Sequence, residues 1–119
     1  MSFRSMLCAF ALFAVPSVPH LWHNHLKKSA PAPDEALSPA PTQIRLWFAE
    51  AVQPELTTIG LTQADGGTLR MSKVRKTDDP LSVVADIEDR LGPGVYKVGW
   101  RTAGDDVHQV KGTFKFTVH

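Results

Sequence analysis

Sulfur is scarce in this chain. Its 119 residues include one cysteine, Cys8, and three methionines, of which only Met71 lies beyond the first ten positions. Cys8 sits inside the apolar run "MLCAFALFAV", so the chain beyond that run has no thiolate to offer a metal and no disulfide to staple it. The chain also lacks a charge of one sign. Thirteen basic residues face twelve acidic ones, and without Arg4 the two are equal, which argues against the basic face that nucleic acid requires. The densest basic patch, Lys73–Lys76, runs directly into "TDDP" and reads as a solvated loop. After the first 22 residues no stretch keeps a 3.6-residue apolar period over three turns, which argues against a helical domain. A Gly-rich phosphate loop after a strand and a serine nucleophile motif are missing too, and with them the enzyme classes they signal.

The N-terminus has one early positive charge, Arg4, then the apolar run, then "PSVP". This is the layout of a secretory signal peptide. A membrane span needs about 20 apolar residues, and Pro16 and Pro19 end the run before that. Residues 1–22 are therefore read as a signal peptide, with cleavage after Ser17 as the alternative, and 23–119 as one exported domain. "SML" before Cys8 lacks the small residues that a lipid-anchored cysteine needs. Export without cysteine fits a bacterial periplasm.

What the chain does have is two-residue alternation. In "QIRLWF", Ile44, Leu46 and Phe48 point one way, and Arg45 and Trp47 the other. "LTTIGLTQA" and "LRMSKV" flank "DGG", a hairpin signal. "LSVVADI" follows. "LGPGVYKVGWRT" places Tyr96, Val98 and Trp100 on one face after a Gly-Pro-Gly turn. In the last strand Phe114, Phe116 and Val118 alternate with Lys115 and Thr117. The Pro-rich "HNHLKKSAPAPDEALSPAPTQ" is either a disordered linker or an edge strand at "HLKKS" with a meandering connection. The sum is an all-β domain, a Greek-key, immunoglobulin-like or cupredoxin-like sandwich of about seven strands.

Between the last two of those strands lies "GDDVHQVKG", with Asp105, Asp106 and His108 crowded into a turn that needs only a glycine and one aspartate. Asp106 and His108 are two apart and share a face if the segment is extended. "HNH" (His23 and His25) and Glu50, just after "RLWFA", offer further lone pairs. Imidazoles and carboxylates without sulfur suit a tetragonal N/O site, for which Cu(II) heads the affinity order of the divalent first-row ions. Taken singly, each piece also reads as a solvated turn or a surface carboxylate. His20 and His119, near the margins, carry no such pattern.

Three segments together resemble the CopC family of periplasmic copper-resistance and copper-carrier proteins. "HNHLKKSAPAPDEAL" is similar to the family's start, "IRLWFAEAVQP" to its Phe-Ser-Glu-x-Val segment, and "LGPGVYKVGWRTAGDDVHQVKGTFKFTV" to its closing signature. The resemblance spans residues 23–118. It implies a small β-sandwich with a Cu(II) site at one end, built from His23 (ring and, when cleavage frees it, the amine), Asp106 and His108, with Glu50 close by.

It also implies a monomeric carrier or buffer that hands Cu(II) to an inner-membrane copper transport protein by ligand exchange, with no substrate chemistry. The family's Met-rich loop has no counterpart here, so the expectation is a protein for Cu(II) alone. Gln109 stands where the family usually has proline after the motif histidine, which loosens the loop without removing a ligand. Cutting after Trp22 brings the His23 amine into the site, whereas cutting after Ser17 leaves only its ring. Two other readings stand beside this one. The first is a structural or protein-interaction sandwich with no metal. The second is an oxidative copper enzyme with a histidine brace, for which the chain offers neither long loops nor an aromatic platform.

Overall fold

The computed structural model describes residues 24–104 and 108–119. The stretch read as a signal peptide, with His20 and His23, lies outside the described residues, as do Asp105 and Asp106.

Nine strands form two sheets among the described residues. They are β1 (Leu26–Ala30), β2 (Ala36–Leu37), β3 (Gln43–Phe48), β4 (Thr58–Gln63), β5 (Thr68–Leu69), β6 (Arg75–Lys76), β7 (Ser82–Asp86), β8 (Gly94–Ala103) and β9 (Gln109–Val118). One sheet has the order β1-β3-β7-β6, and the other β2-β9-β8-β4-β5. Every pairing is antiparallel except β2 with β9. The sandwich is as expected, but about seven strands becomes nine because the two-residue strands β2 and β6 join those that alternation shows. Pairs that short leave no periodicity to read.

The alternations resolve as the pleat demands. Ile44, Leu46 and Phe48 are fully buried, and they meet Leu61, Val98, Phe114 and Phe116 of the opposite sheet. "HLKKS" resolves as the edge strand β1, paired with β3. The Gly-Pro-Gly turn leads into β8 through Gly94, whose φ of 148° suits glycine. The Tyr96 hydroxyl donates to the Gly92 carbonyl at 2.6 Å and ties that turn to the core.

Two local expectations need correction. "LRMSKV" does not continue the hairpin, because β5 ends at Leu69 and only an isolated bridge, Met71 to Ile87, follows it. Arg75 and Lys76, read as part of a solvated loop, are exposed but belong to strand β6, paired with Val84 and Val83. An edge strand whose side chains stand in solvent accepts charged residues readily, and Arg75 there also pairs with Asp86.

Candidate metal centre

The sandwich has two ends, and the strand directions sort the candidate ligands between them. β3 finishes at Phe48, opposite the start of β1 at Leu26. β8 finishes at Ala103, opposite the start of β9 at Gln109. Phe48 and Trp100 meet edge to face across the two sheets, with ring centroids 5.3 Å apart. That contact brings the start of β1, the end of β3 and the β8–β9 connection to one end of the molecule. His119 follows β9 at the other end, where its N–H donates to the Leu37 carbonyl.

At the first end, the residue between the two histidines of "HNH" holds the chain in place. Asn24 is buried. Its Nδ2 donates to the Glu50 carbonyl at 3.2 Å, and its Oδ1 accepts from the Glu50 N–H at 2.9 Å. Next to this two-point clamp, the Ala49 N–H donates to the His25 carbonyl at 2.9 Å. The amide side chain thus satisfies both backbone groups of Glu50 beyond the end of β3, where strand pairing no longer does. Glu50 keeps its carboxylate exposed, with no hydrogen bond or ion pair among the described residues.

The base of the β8–β9 connection is also braced. Thr102 is fully buried, and its hydroxyl lies 2.7 Å from that of Thr57, which in turn donates to the Gln53 carbonyl at 2.8 Å. Trp100 stands opposite Gly112. A Cβ built on Gly112 would lie 2.7 Å from Trp100 Cζ2, so the indole occupies the space that a side chain there would need. His108 is exposed and immediately precedes β9.

Of the four expected ligands, Glu50 and His108 are described and lie at the same end of the fold. His25 lies there too, exposed, with its backbone engaged by Ala49. No three His, Cys, Asp or Glu side chains converge on a metal position among the described residues, and His23 and Asp106 fall outside them. The donors present are oxygen and nitrogen. Met71 is half-buried against the core. A nitrogen and oxygen donor set of this kind fits a copper ion. Sequence reasoning missed Asn24, because its partner lies 26 residues away and leaves no local mark on the chain.

Comparison with known proteins gives a consistent picture. The profile of the CopC domain matches residues 26–119, a span that takes in Glu50, Asp106 and His108 and begins just after Asn24 and His25. Copper resistance protein C of Escherichia coli is 34% identical over 105 residues, covering 81% of each chain. Copper resistance protein C of Xanthomonas campestris pv. juglandis is 30% identical over 125 residues, covering 98% of each. Among solved structures, that of PcoC, a methionine-rich copper resistance protein from Escherichia coli, superposes with a TM-score of 0.74 at 32% identity, covering 82% of this chain and 99% of that one.

Proposed function

This chain belongs to the CopC family, and from that premise we propose that it is an exported carrier or buffer for Cu(II). Copper is its cargo, bound at the end of the sandwich where β1 begins and β8 gives way to β9. The ligands are His108 and Asp106 from the β8–β9 connection and His23 from the start of the mature chain, with the Glu50 carboxylate beside them.

The observation that carries this reading is the Asn24 clamp. It fastens the residue that follows His23 to the backbone of Glu50, at the same end as His108. A residue linked to a fixed neighbour searches little space, so ordering it on the metal costs less entropy. The protein acts in the periplasm as a monomer, after removal of residues 1–22. It passes copper to an inner-membrane copper transport protein by exchange of ligands, and it performs no chemistry on a substrate.

Titration of the mature protein with Cu(II), followed by electron paramagnetic resonance, tests the proposal when combined with the intact mass of the chain. One cupric ion per chain with a tetragonal nitrogen/oxygen spectrum is the expected result. Absence of stoichiometric copper would favour a structural sandwich module, and tight uptake of Cu(I) would overturn the ligand assignment. The mass reports whether His23 or Val18 is the first residue, and so whether an amine joins the site.

A further inference from the structure

The outer face of the five-stranded sheet carries an uneven charge arrangement. Lys97 on β8 lies directly opposite Lys115 on β9, and Arg101 directly opposite Lys111. All four are exposed. Like charges at directly opposed positions destabilise a strand pair, and here two such pairs share the same two strands. Among the described residues none of the four makes an ion pair. Arg45, Arg70 and Arg75, by contrast, each have a carboxylate, in Asp78, Asp89 and Asp86.

Between the two cationic pairs runs a row with almost no side chains. Gly60 on β4 faces Gly99 on β8, which faces Thr113 on β9. A carbon added at Gly99 would meet nothing within 4 Å, and one at Gly60 only the Gly99 carbonyl at 3.9 Å. The result is a shallow trough of about 670 Å³ crossing the strands, floored by glycine, with Arg101 and Lys111 along one side. Lys97 and Lys115 stand on the other side of the glycine row, two residues along the same strands, beside a separate depression that Thr62, Gln63 and Val95 also line. Side chains on one face of a strand repeat about every 6.7 Å, so the two cationic pairs stand about 13 Å apart.

We propose that this trough is a docking site for a short, extended acidic segment of another protein. In an extended chain successive side chains point to opposite sides, so consecutive Asp or Glu residues lying along the glycine row would send carboxylates alternately toward the Arg101–Lys111 pair and the Lys97–Lys115 pair. That arrangement neutralises both like-charge pairs at once. An anionic membrane is a poorer fit. It would favour a flat face with large apolar anchors, and the one exposed large hydrophobic residue on these strands is Val95. The inference rests on charge and shape alone and does not depend on the copper reading.

The test uses metal-free mature protein and a fluorescein-labelled peptide with a central Glu-Asp-Glu-Asp in a Gly/Ser background, followed by anisotropy at low salt. The probe should bind, its Gln-Asn-Gln-Asn counterpart should not, and added salt should weaken the complex. Joint replacement Lys97→Glu and Lys111→Glu should reduce affinity by at least about tenfold. Gly99→Val should reduce it several-fold by filling the trough without changing charge, in a position open enough for the fold to be retained. Joint Lys73→Glu and Lys76→Glu, away from this face, should have no effect. Failure of the acidic peptide to bind overturns the proposal, as does unchanged binding in the Gly99→Val protein or equal loss in the Lys73/Lys76 control. Stronger capture by phosphatidylglycerol vesicles, insensitive to Gly99→Val, would reassign the face to a membrane.

Discussion

Trp100 and Gly112 are partners in which one residue supplies the ring and the other the room for it. The indole lies where a Gly112 side chain would stand, and it meets Phe48 edge to face. The ring cannot swing inward, because Phe48 is fully buried there. Gly112→Ala should therefore force a shift in β8, β9 or both, at a cost of about 1–3 kcal/mol, as overpacking usually does. In a domain of this size that corresponds to a fall in Tm of several degrees per kcal/mol. Calorimetry of the two proteins checks it, and an unchanged Tm would mean that the ring has another place to go.

The Asn24 clamp gives a second prediction. Asn24→Ala removes two hydrogen bonds and strands a part-buried N–H and C=O of Glu50, which should cost about 1–3 kcal/mol. Asn24→Asp keeps the acceptor and loses the donor, placing a carboxylate against the Glu50 carbonyl. It should be no better than alanine. Urea unfolding of metal-free protein measures both. On the copper reading, Asn24→Ala should also weaken Cu(II) binding under conditions where the protein remains fully folded, because the residue before it loses its anchor.

Ligand assignments separate by substitution. His108→Ala should cost far more Cu(II) affinity than His25→Ala or His119→Ala, since His108 alone belongs to the Asp-x-His pattern and His119 lies at the other end of the sandwich. Asp106→Asn should weaken binding by removing a charged ligand, and Asp105→Asn should do little. Equal losses at the two aspartates, by competitive titration, would show that the register of the pattern is misread. Met71→Leu should leave copper binding unchanged, since the thioether is packed against the core.

Much of the fold was legible because one face of each long strand is buried and the other is wet. Ile44, Leu46 and Phe48 announce β3 for that reason, as Phe114, Phe116 and Val118 announce β9. Alternation does not report which strand pairs with which, or how far a pairing runs. Thus "LRMSKV" read as the second arm of a hairpin, while the chain leaves that sheet after Leu69 and reaches the other by Arg75. The pair Arg75–Lys76 was illegible as a strand because two exposed residues on an edge show no apolar alternation.

The site divides along the same line. Chemistry-bearing side chains such as Glu50 and His108 are visible as residue types in sequence. Long-range hydrogen bonding, such as that of Asn24 to the Glu50 backbone or of the Thr57 hydroxyl to the Thr102 hydroxyl, is not. A two-point contact between an amide side chain and one peptide unit leaves no periodic trace, and only the packed chain reveals it.

The exposed arginine–aspartate pairs make a prediction about acid. Arg75 donates twice to Asp86, at 2.7 and 3.0 Å, and holds that carboxyl below its ordinary range, chiefly through the side-chain hydrogen bonds. Asp89 is held low as well, first by the Arg70 N–H at 2.7 Å and then by the Arg70 side chain. A carboxylate whose folded pKa lies below its unfolded value, near 3.9, binds fewer protons in the native state than in the unfolded one. Its contribution to stability is complete above that unfolded value and is lost as pH falls through the lower folded one. Stability of the metal-free protein should therefore decline below about pH 4, and Asp86→Asn or Asp89→Asn should each make that decline shallower while leaving the neutral region with only a small change. Solvent and salt screen pairs this exposed, so the effect should shrink as salt is raised. Urea midpoints taken from pH 6 down to about pH 2 in the wild type and the two variants measure the slopes. A double variant as steep as the wild type would show that these pairs are formed equally in the unfolded chain.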